Sequence, residues 1–327
     1  MSKKKIIVTG GAGYIGSHVC KKLYHEGYEP ICYDNLSTGH KEFVKWGPLI
    51  KADITNKKNL VRVIEKYDPI AIMNFAALSL VEESNKNLYK YFFTNYYGTL
   101  CILEAMHLTQ KNKLIQSSTA AVYGFHGKKY KEESKLKPIN NYGKSKLAAE
   151  ESIKYMGKLH QINYIILRYF NAAGADFDSK IGELHYPETH LIPNITNSIF
   201  NGNHIKIYGN DYQTRDGTCI RDFVHVEDIA DAHFISLKYL LNKHVKEIYN
   251  IGTGKGSSVL KVVNKFENLL NTKYKVEYLK RRDGDPAILV ADINKFQKKF
   301  NWKPSYSSLE KILSSEINWR KTYSNCL

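Results

Sequence analysis

The sequence predicts an α/β fold: a doubly wound parallel sheet joined to a second, smaller α/β domain. Three observations carry this. Short β-branched or apolar runs alternate with helix-like stretches, a glycine-rich turn stands directly after the first run, and an acidic residue ends the second. Such alternation implies parallel strands with helices on both faces, and uniformly apolar runs fit strands buried on both sides. With 327 residues the chain is long enough for one large domain and a smaller one, each with a core.

The strand-like runs are KIIVT (5–9), PICYD (30–34), PLIKAD (48–53), IAIMNFAA (70–77), KLIQSS (113–118) and YIILRYF (164–170). GSHVCKKLYHEG (16–27) and SKLAAEESIKYMGKLH (145–160) read as helices between them. Beyond RYFNAAGA (168–175) the pattern loosens into a long polar loop, DFDSKIGELHYPETH. DFVHVEDIADAHFISLKYLL (222–241) then reads as an amphipathic helix with its lead-in, and EIYNIGTG (247–254) as a strand entering a turn. The expected layout is a nucleotide-binding domain through about residue 172, rejoined at about 222–250. About 173–221 and 251–327 form the smaller, substrate-binding domain.

In IIVTGGAGYIGSHV, Gly10, Gly11, Gly13 and Gly16 follow the first strand and open a helix. Glycines there let the backbone turn tightly and approach a pyrophosphate lying against the helix N-terminal amides. Asp34 ends the second strand, 18 residues beyond Gly16. A carboxylate at that point accepts hydrogen bonds from ribose hydroxyls and repels a 2′-phosphate, and Asn35 and Leu36 follow it rather than an arginine. The pattern is Rossmann-type and favours NAD over NADP. Asp53 and Ile54 end the third strand, where an adenine ring would lie.

Composition excludes several classes. No apolar run approaches the ~18 residues of a membrane helix, and the N-terminus lacks the apolar stretch and cleavage site of a signal peptide. Five scattered cysteines without a Cys-x-x-Cys read as reduced thiols of a cytoplasmic protein. His185 and His190 flank Pro187, but nothing in the sequence nearby completes a zinc set, so no metal is expected. The formal charge of +16 invites a nucleic-acid reading, yet only seven of the 48 basic residues are arginines and the lysines are dispersed. That distribution reads as solvated surface, not as a nucleic-acid face.

Tyr142 stands four residues ahead of Lys146 in NNYGKSK (140–146). With 24 tyrosines in a lysine-rich chain the spacing alone is weak, and Tyr239 and Lys243 share it. The setting separates the two pairs. The fifth strand runs into SSTAAVYG (117–124), and the helix carrying Lys146 is expected to start at or just after Tyr142. One turn then puts both side chains on one face, toward the carboxyl ends of the strands, where open α/β sheets bind ligands. A phenolate base near pH 7 needs about three units removed from the tyrosine pKa, roughly 4 kcal/mol. A cation ~7 Å away supplies about 2 kcal/mol at an effective dielectric of 20. Lys146 and an oxidised nicotinamide together are roughly sufficient, with Thr119 offering a further hydrogen bond.

This constellation resembles the extended branch of the short-chain dehydrogenase/reductase family, which acts on nucleotide sugars, and within it the UDP-hexose 4-epimerases. The resemblance runs from Lys5 to about Trp302 through TGGAGYIGSH, YDNLSTG, NFAA, SSTAAVYG, YGKSKLAAE, RYFNAAGA, ETHLIPN, IYGNDYQTRDGTCIRDFVHVEDIADAH and RRDGDPA, in order. It implies tightly bound NAD and interconversion of UDP-glucose and UDP-galactose, a step of galactose metabolism. Tyr142 would take the proton of the sugar 4-hydroxyl while hydride moves to the nicotinamide. The 4-keto sugar would then turn over before hydride returns to its other face. Lys146 would hold the nicotinamide ribose, and Thr119 matches the family's catalytic serine or threonine.

By the same resemblance Tyr14, Ile15 and Asn35 would join the glycines and Asp34 at the cofactor. Phe75, Ala76, Ala77, Asn95, Ser117 and Tyr169 would line its other side. Arg221 and Arg282 match positions that clasp the UDP pyrophosphate, where arginine's fork suits planar recognition. Asp285 would bind the uridine ribose and Asn171 a phosphate oxygen. His190, Leu191 and Leu289 complete the substrate side.

Related 4,6-dehydratases carry Asp-Glu just after the threonine, and decarboxylating relatives an acid at the second position. Ala120 and Ala121 cannot transfer protons, which leaves epimerisation. A non-catalytic NAD-sensing module would be marked by loss of Tyr142 or Lys146, and both are present. Leu289 is intermediate in size, so UDP-N-acetylhexosamines or UDP-pentoses stay open as alternative substrates. The resemblance also implies a homodimer, built on helices at roughly 82–109 and 143–160. Leu184 is apolar where relatives often carry a polar loop residue.

Overall fold

The computed structural model describes residues 3–124, 127, 129–282 and 285–324. Cys326 and the middle of RRDGDPA (283–284) therefore lie outside the described residues. The chain forms two compact units. One comprises Met1–Gly124, Lys135–Tyr169 and Ala230–Tyr249; the other Phe125–Ser134, Phe170–Ile229 and Asn250–Leu327. These limits differ from the expected ones at three places, and strand pairing explains each. Asn171–Ala173 pairs with Phe223–His225, which draws 170–172 and 222–229 into the second unit. Lys129–Tyr130 pairs with Ile288–Ala291, taking that short excursion with it.

The first unit is built on a seven-stranded sheet. Its strands lie in the order Lys246–Ile251, Asn163–Tyr169, Lys113–Thr119, Ala71–Asn74, Lys5–Thr9, Glu29–Asp34 and Leu49–Lys51. The order reverses direction between Lys5–Thr9 and Ala71–Asn74, the doubly wound arrangement whose switch point opens a crevice at the carboxyl ends. Ile7, Ile31, Ile72, Leu114 and Ile166 are fully buried or nearly so and pack against Ile102, Met106 and Ile153 of the covering helices. A buried polar ladder crosses the sheet beside the switch point. Thr9 Oγ1 donates to Asn74 Oδ1 at 2.6 Å, and Asn74 Nδ2 donates to Gln116 Oε1 at 2.9 Å. These bonds satisfy groups that would otherwise be stranded in an apolar layer.

The strand-to-helix turn at the crevice needs glycine. Gly10 has φ +71°, and a Cβ there would sit 2.5 Å from the Ala76 nitrogen of the neighbouring strand's exit. The following helix, Tyr14–His25, starts from Gly13 with no side-chain cap and no acidic residue in its first turn.

In the second unit a four-stranded sheet runs Ser257–Ser258, Ile220–Arg221, Ile288–Ala291 and Lys129–Tyr130. Its core gathers Ile192, Ile205, Ile207, Val262, Phe266, Ile312 and Leu313. Asp222, fully buried, braces the sheet: its carboxylate accepts from the backbone nitrogens of Thr253 (2.8 Å), Gly254 (3.0 Å) and Ala291 (3.1 Å). Leu184 is 4% exposed, so its apolar character belongs to packing rather than to a loop surface.

Candidate active site

The Lys113–Thr119 strand ends at Thr119, and a short 3₁₀ turn, Ala120–Val122, follows. The helix carrying the tyrosine–lysine pair is Asn141–Leu159. It begins one residue before Tyr142 because Asn140 caps it, the side-chain oxygen accepting from Gly143 N at 2.8 Å. Gly143 lets this helix start close against the 3₁₀ turn: a Cβ there would lie 2.6 Å from the Ala121 carbonyl. That approach brings Tyr142 beside Thr119, whose hydroxyl acts on the phenol. Lys146 follows one turn later, buried at 3% exposure. Tyr239, by contrast, sits in the Val226–Asn242 helix and Lys243 lies past its end, exposed. That second pair has the spacing without the geometry.

Burial dominates the electrostatics of the pair. It pushes the Tyr142 phenol above its ordinary value, opposed by the Thr119 hydrogen bond. Burial also pulls the Lys146 ammonium down to about 8, against the upward pull of the Glu150 carboxylate. In the chain alone, without the oxidised nicotinamide on which the expected lowering also rests, desolvation prevails.

The Lys146 shift has a stability consequence with a definite sign. A folded-state pKa below the unfolded one means the unfolded chain holds the proton more tightly. The cost of burying the charge is in force below about pH 8 and is relieved as pH rises toward 10.5. One pKa unit is about 1.4 kcal/mol, so Lys146→Met in nucleotide-free protein should gain up to about 3 kcal/mol at neutral pH. Urea unfolding of both proteins at pH 7 and pH 10 checks it, the advantage shrinking at the higher pH.

Beneath the pair lies a buried ion pair that the sequence did not reveal. Arg168 and Glu150 are each 1% exposed at the side chain, with Nη2 at 2.6 Å from Oε2. Arg168 Nε donates to Glu150 Oε1 at 3.0 Å, Ser118 Oγ donates to the same oxygen at 2.5 Å, and Arg168 Nη1 donates to Tyr123 Oη at 3.0 Å. Glu150 is one turn beyond Lys146 on the same helix. The network therefore ties that helix to the two strands that end at Thr119 and Tyr169. Bidentate pairing of this kind fixes orientation as well as charge.

The remaining expected cofactor residues fall into two groups. Several stand at the crevice mouth. Asp34 ends its strand with a nearly buried carboxylate accepting from Ala12 N at 3.0 Å and Leu36 N at 2.8 Å. Phe75, Ala76 and Ala77 leave the strand across the switch point, the Phe75 ring 4.7 Å from that of His233. Tyr169 Oη lies 2.8 Å from His233 Nε2 and hydrogen-bonds Ser117. Tyr14 and Ile15 open the first helix.

Others also make contacts within the chain. Both Asp53 carboxylate oxygens are engaged: Thr55 donates to one through N (2.8 Å) and Oγ1 (2.6 Å), and Asn35 Nδ2 donates to the other at 2.7 Å. The Ile54 side chain faces the core. Asn95 is 2% exposed within a π-helical stretch, Phe92–Tyr97. Its amide donates to Leu78 O and Ser145 Oγ, both at 3.0 Å, and accepts from Leu78 N at 2.8 Å. Asn95 thereby holds the 78 loop and the Asn141–Leu159 helix together.

Asn171, His190, Leu191, Arg221, Arg282, Asp285 and Leu289 lie in the second unit. Arg221 pairs in register with Leu289 on the adjacent strand and forms an ion pair with Asp285. The Arg282 guanidinium stacks 4.1 Å over the Tyr208 ring, and its carbonyl accepts from Asp285 N at 3.3 Å. Asn171 pairs with Phe223, two residues from Arg221. His190 caps the Leu191–Phe200 helix. Glu183 and Glu188 lie beside His185 and His190, so the reading that nothing nearby joins these histidines does not hold. The glutamates are in sequence reach, and only the fold of the loop reveals the convergence.

Comparison with known proteins bears on the whole arrangement. Residues 6–252 match the NAD dependent epimerase/dehydratase family. The chain is 43% identical to UDP-glucose 4-epimerase of Rhizobium meliloti (strain 1021) over 321 residues, covering 98% of each. The crystal structure of UDP-glucose 4-epimerase from Brucella ovis in complex with NAD superposes with a TM-score of 0.93 at 40% identity, over 96% of this chain and 98% of that one. The UDP-Glc/GlcNAc 4-epimerase of Campylobacter jejuni gives 0.84 at 37% identity, over 98% and 99%. The chain belongs to the NAD dependent epimerase/dehydratase family.

Proposed function

We propose that this protein is an isomerase that interconverts UDP-glucose and UDP-galactose, with NAD as a resident cofactor. The observation that carries the reading is Tyr142 beside Thr119, with Lys146 buried one turn along the same helix. The two residues after Thr119 are alanines in a tight turn, so that turn offers no acid for elimination or decarboxylation. The relatives named above are 4-epimerases across nearly their whole length.

The residues present fit NAD. The uncapped, acid-free N-terminus at Gly13 leaves backbone amides for a pyrophosphate, and Asp34 supplies a carboxylate where a ribose would lie. When bound, NAD supplies reversible hydride exchange at sugar carbon 4. Tyr142 takes the proton from the 4-hydroxyl and returns it, with Thr119 holding the phenol oxygen in line. Lys146 brings a positive charge next to the developing phenolate, and Arg221 and Arg282 neutralise the diphosphate of the substrate.

Leu289 lies half-buried in register with Arg221. An aliphatic residue of that size supports a second reading, in which N-acetylated hexoses or pentoses are also accepted. Homodimerisation is supported by aromatic side chains exposed on the expected helices: Tyr89 is 88% exposed, Phe93 56% and Tyr155 70%. Phe93 and Tyr97 stack there at 5.2 Å. Among the described residues no helix is long and apolar enough to cross a membrane, and Cys20, Cys32, Cys101 and Cys219 are free thiols. A cytoplasmic setting accords with both.

The test is to incubate the purified protein with UDP-galactose, adding no nicotinamide, and to resolve the products. UDP-glucose is the expected product. Parallel incubations with UDP-N-acetylgalactosamine and UDP-arabinose decide breadth. No conversion of any of the three, in protein from which NAD can be extracted, would overturn the reading.

A further inference from the structure

The second unit contains a group of four metal-ligating side chains apart from the tyrosine–lysine pair. In GELHYPETHL (182–191) the spacing Glu-x-His-x-x-Glu-x-His places Glu183, His185, Glu188 and His190 in one loop. One ligand atom from each lies within 4.8 Å of all the others. His190 Nδ1 is 2.6 Å from Glu183 Oε1, and His185 Nδ1 is 3.4 Å from the same oxygen and 3.9 Å from Glu188 Oε2.

The short His190–Glu183 approach is an ion-pair contact without hydrogen-bond alignment. His185 Nδ1 and His190 Nδ1 are both buried yet make no aligned hydrogen bond. The Glu188 side chain is 8% exposed, and its two oxygens behave differently. Oε1 accepts from Thr189 N at 2.8 Å and from His190 N at 2.9 Å, whereas Oε2 has no hydrogen-bond partner. A buried carboxylate oxygen left unpaired costs free energy, and here it lies 3.9 Å from His185 Nδ1. Two imidazole nitrogens and two carboxylates gathered within 4.8 Å form the kind of donor set that a cation requires. A third buried carboxylate, Glu316, is paired with Arg320, whose Nη2 also donates to the Glu183 backbone carbonyl.

We propose that Glu183, His185, Glu188 and His190 bind a divalent transition-metal ion of the zinc or cobalt type. Ligand atoms about 2.0–2.1 Å from a tetrahedral ion lie roughly 3.3 Å apart, so the observed separations need only small side-chain adjustments. Two imidazoles and two carboxylates suit these ions rather than magnesium or calcium, which prefer oxygen alone. With all four positions supplied by protein the site is structural, not catalytic. It would hold the 183–190 loop immediately ahead of the Leu191–Phe200 helix and fix the ring of His190 through Nδ1, leaving Nε2 at its partly exposed edge. The inference stands apart from the reaction, since none of its evidence involves the sugar or the nicotinamide.

Purified full-length protein, stripped with a chelator, would be equilibrated with cobalt(II) and gel-filtered, and its bound metal and visible spectrum measured. The expected result is one retained cobalt per chain with the intense absorption of tetrahedral coordination, displaced by zinc. The double variant His185→Gln, Glu188→Gln should lose both signals. Should that variant fail to fold, X-ray absorption of zinc-loaded wild type gives the answer directly, two imidazole nitrogens and two oxygens being expected. Failure of the wild type to retain cobalt, unchanged retention in the folded double variant, or a zinc shell without imidazole would each overturn the proposal.

Discussion

Tyr142→Phe should lower kcat for epimerisation by about 10²–10⁴, the range ascribed to a positioned acid–base group. The substitution removes one oxygen and leaves the ring, so the Asn140 cap and the Gly143 approach that start the helix are untouched. KM for the UDP-sugar should change little, because the residues proposed to bind the diphosphate lie in other segments of the chain. The lost interaction belongs to the transition state, where the phenol oxygen takes the proton, and such losses appear in kcat. Burial raises the Tyr142 pKa in the chain alone, so little phenolate would form at neutral pH without a neighbouring positive charge. Steady-state kinetics of the two proteins, with circular dichroism to verify the fold, makes the comparison. Activity within tenfold of wild type would remove Tyr142 from the proton transfer.

Arg168→Met should destabilise the protein by about 3–5 kcal/mol, the cost of stranding one partner of a buried ion pair. Glu150 would keep Ser118 as a donor but lose both guanidinium bonds in a site closed to water. The double variant Arg168→Met, Glu150→Leu should recover most of the loss, since two apolar side chains leave no charge uncompensated. Urea unfolding of the two variants and the wild type completes the comparison. A single-variant loss below about 1 kcal/mol would mean that water reaches the pair. The same change bears on catalysis, because Glu150 is the carboxylate that supports the Lys146 charge.

Local signals carried well from sequence to structure. The glycine turn, Asp34 and the six early strands were legible because each depends on residues close in the chain. The tyrosine–lysine pair was legible through its position after the fifth strand, though the helix starts one residue earlier than expected because the Asn140 cap was not read. Long-range partners were hidden. Arg168 looks like one charged interruption in an apolar strand, and only the packed helix shows that Glu150 and Tyr123 meet it. The bonds that Asn95 makes to Leu78 and Ser145 were likewise invisible in the sequence. Asp222 gave no signal, since its donors come from backbone more than thirty residues away.

The place of Asn163–Tyr169 in the sheet has a consequence for synthesis on the ribosome. All seven of its residues are buried, and one of its two neighbours is Lys246–Ile251. That neighbour emerges only after the intervening segment, most of which belongs to the other unit, has been made. A nascent chain ending near residue 170 therefore exposes an unpaired edge of a largely apolar strand, the kind of template on which chains aggregate. Completion of the nucleotide-binding half must wait for most of the polypeptide, which makes the open edge of this strand the vulnerable point of biogenesis.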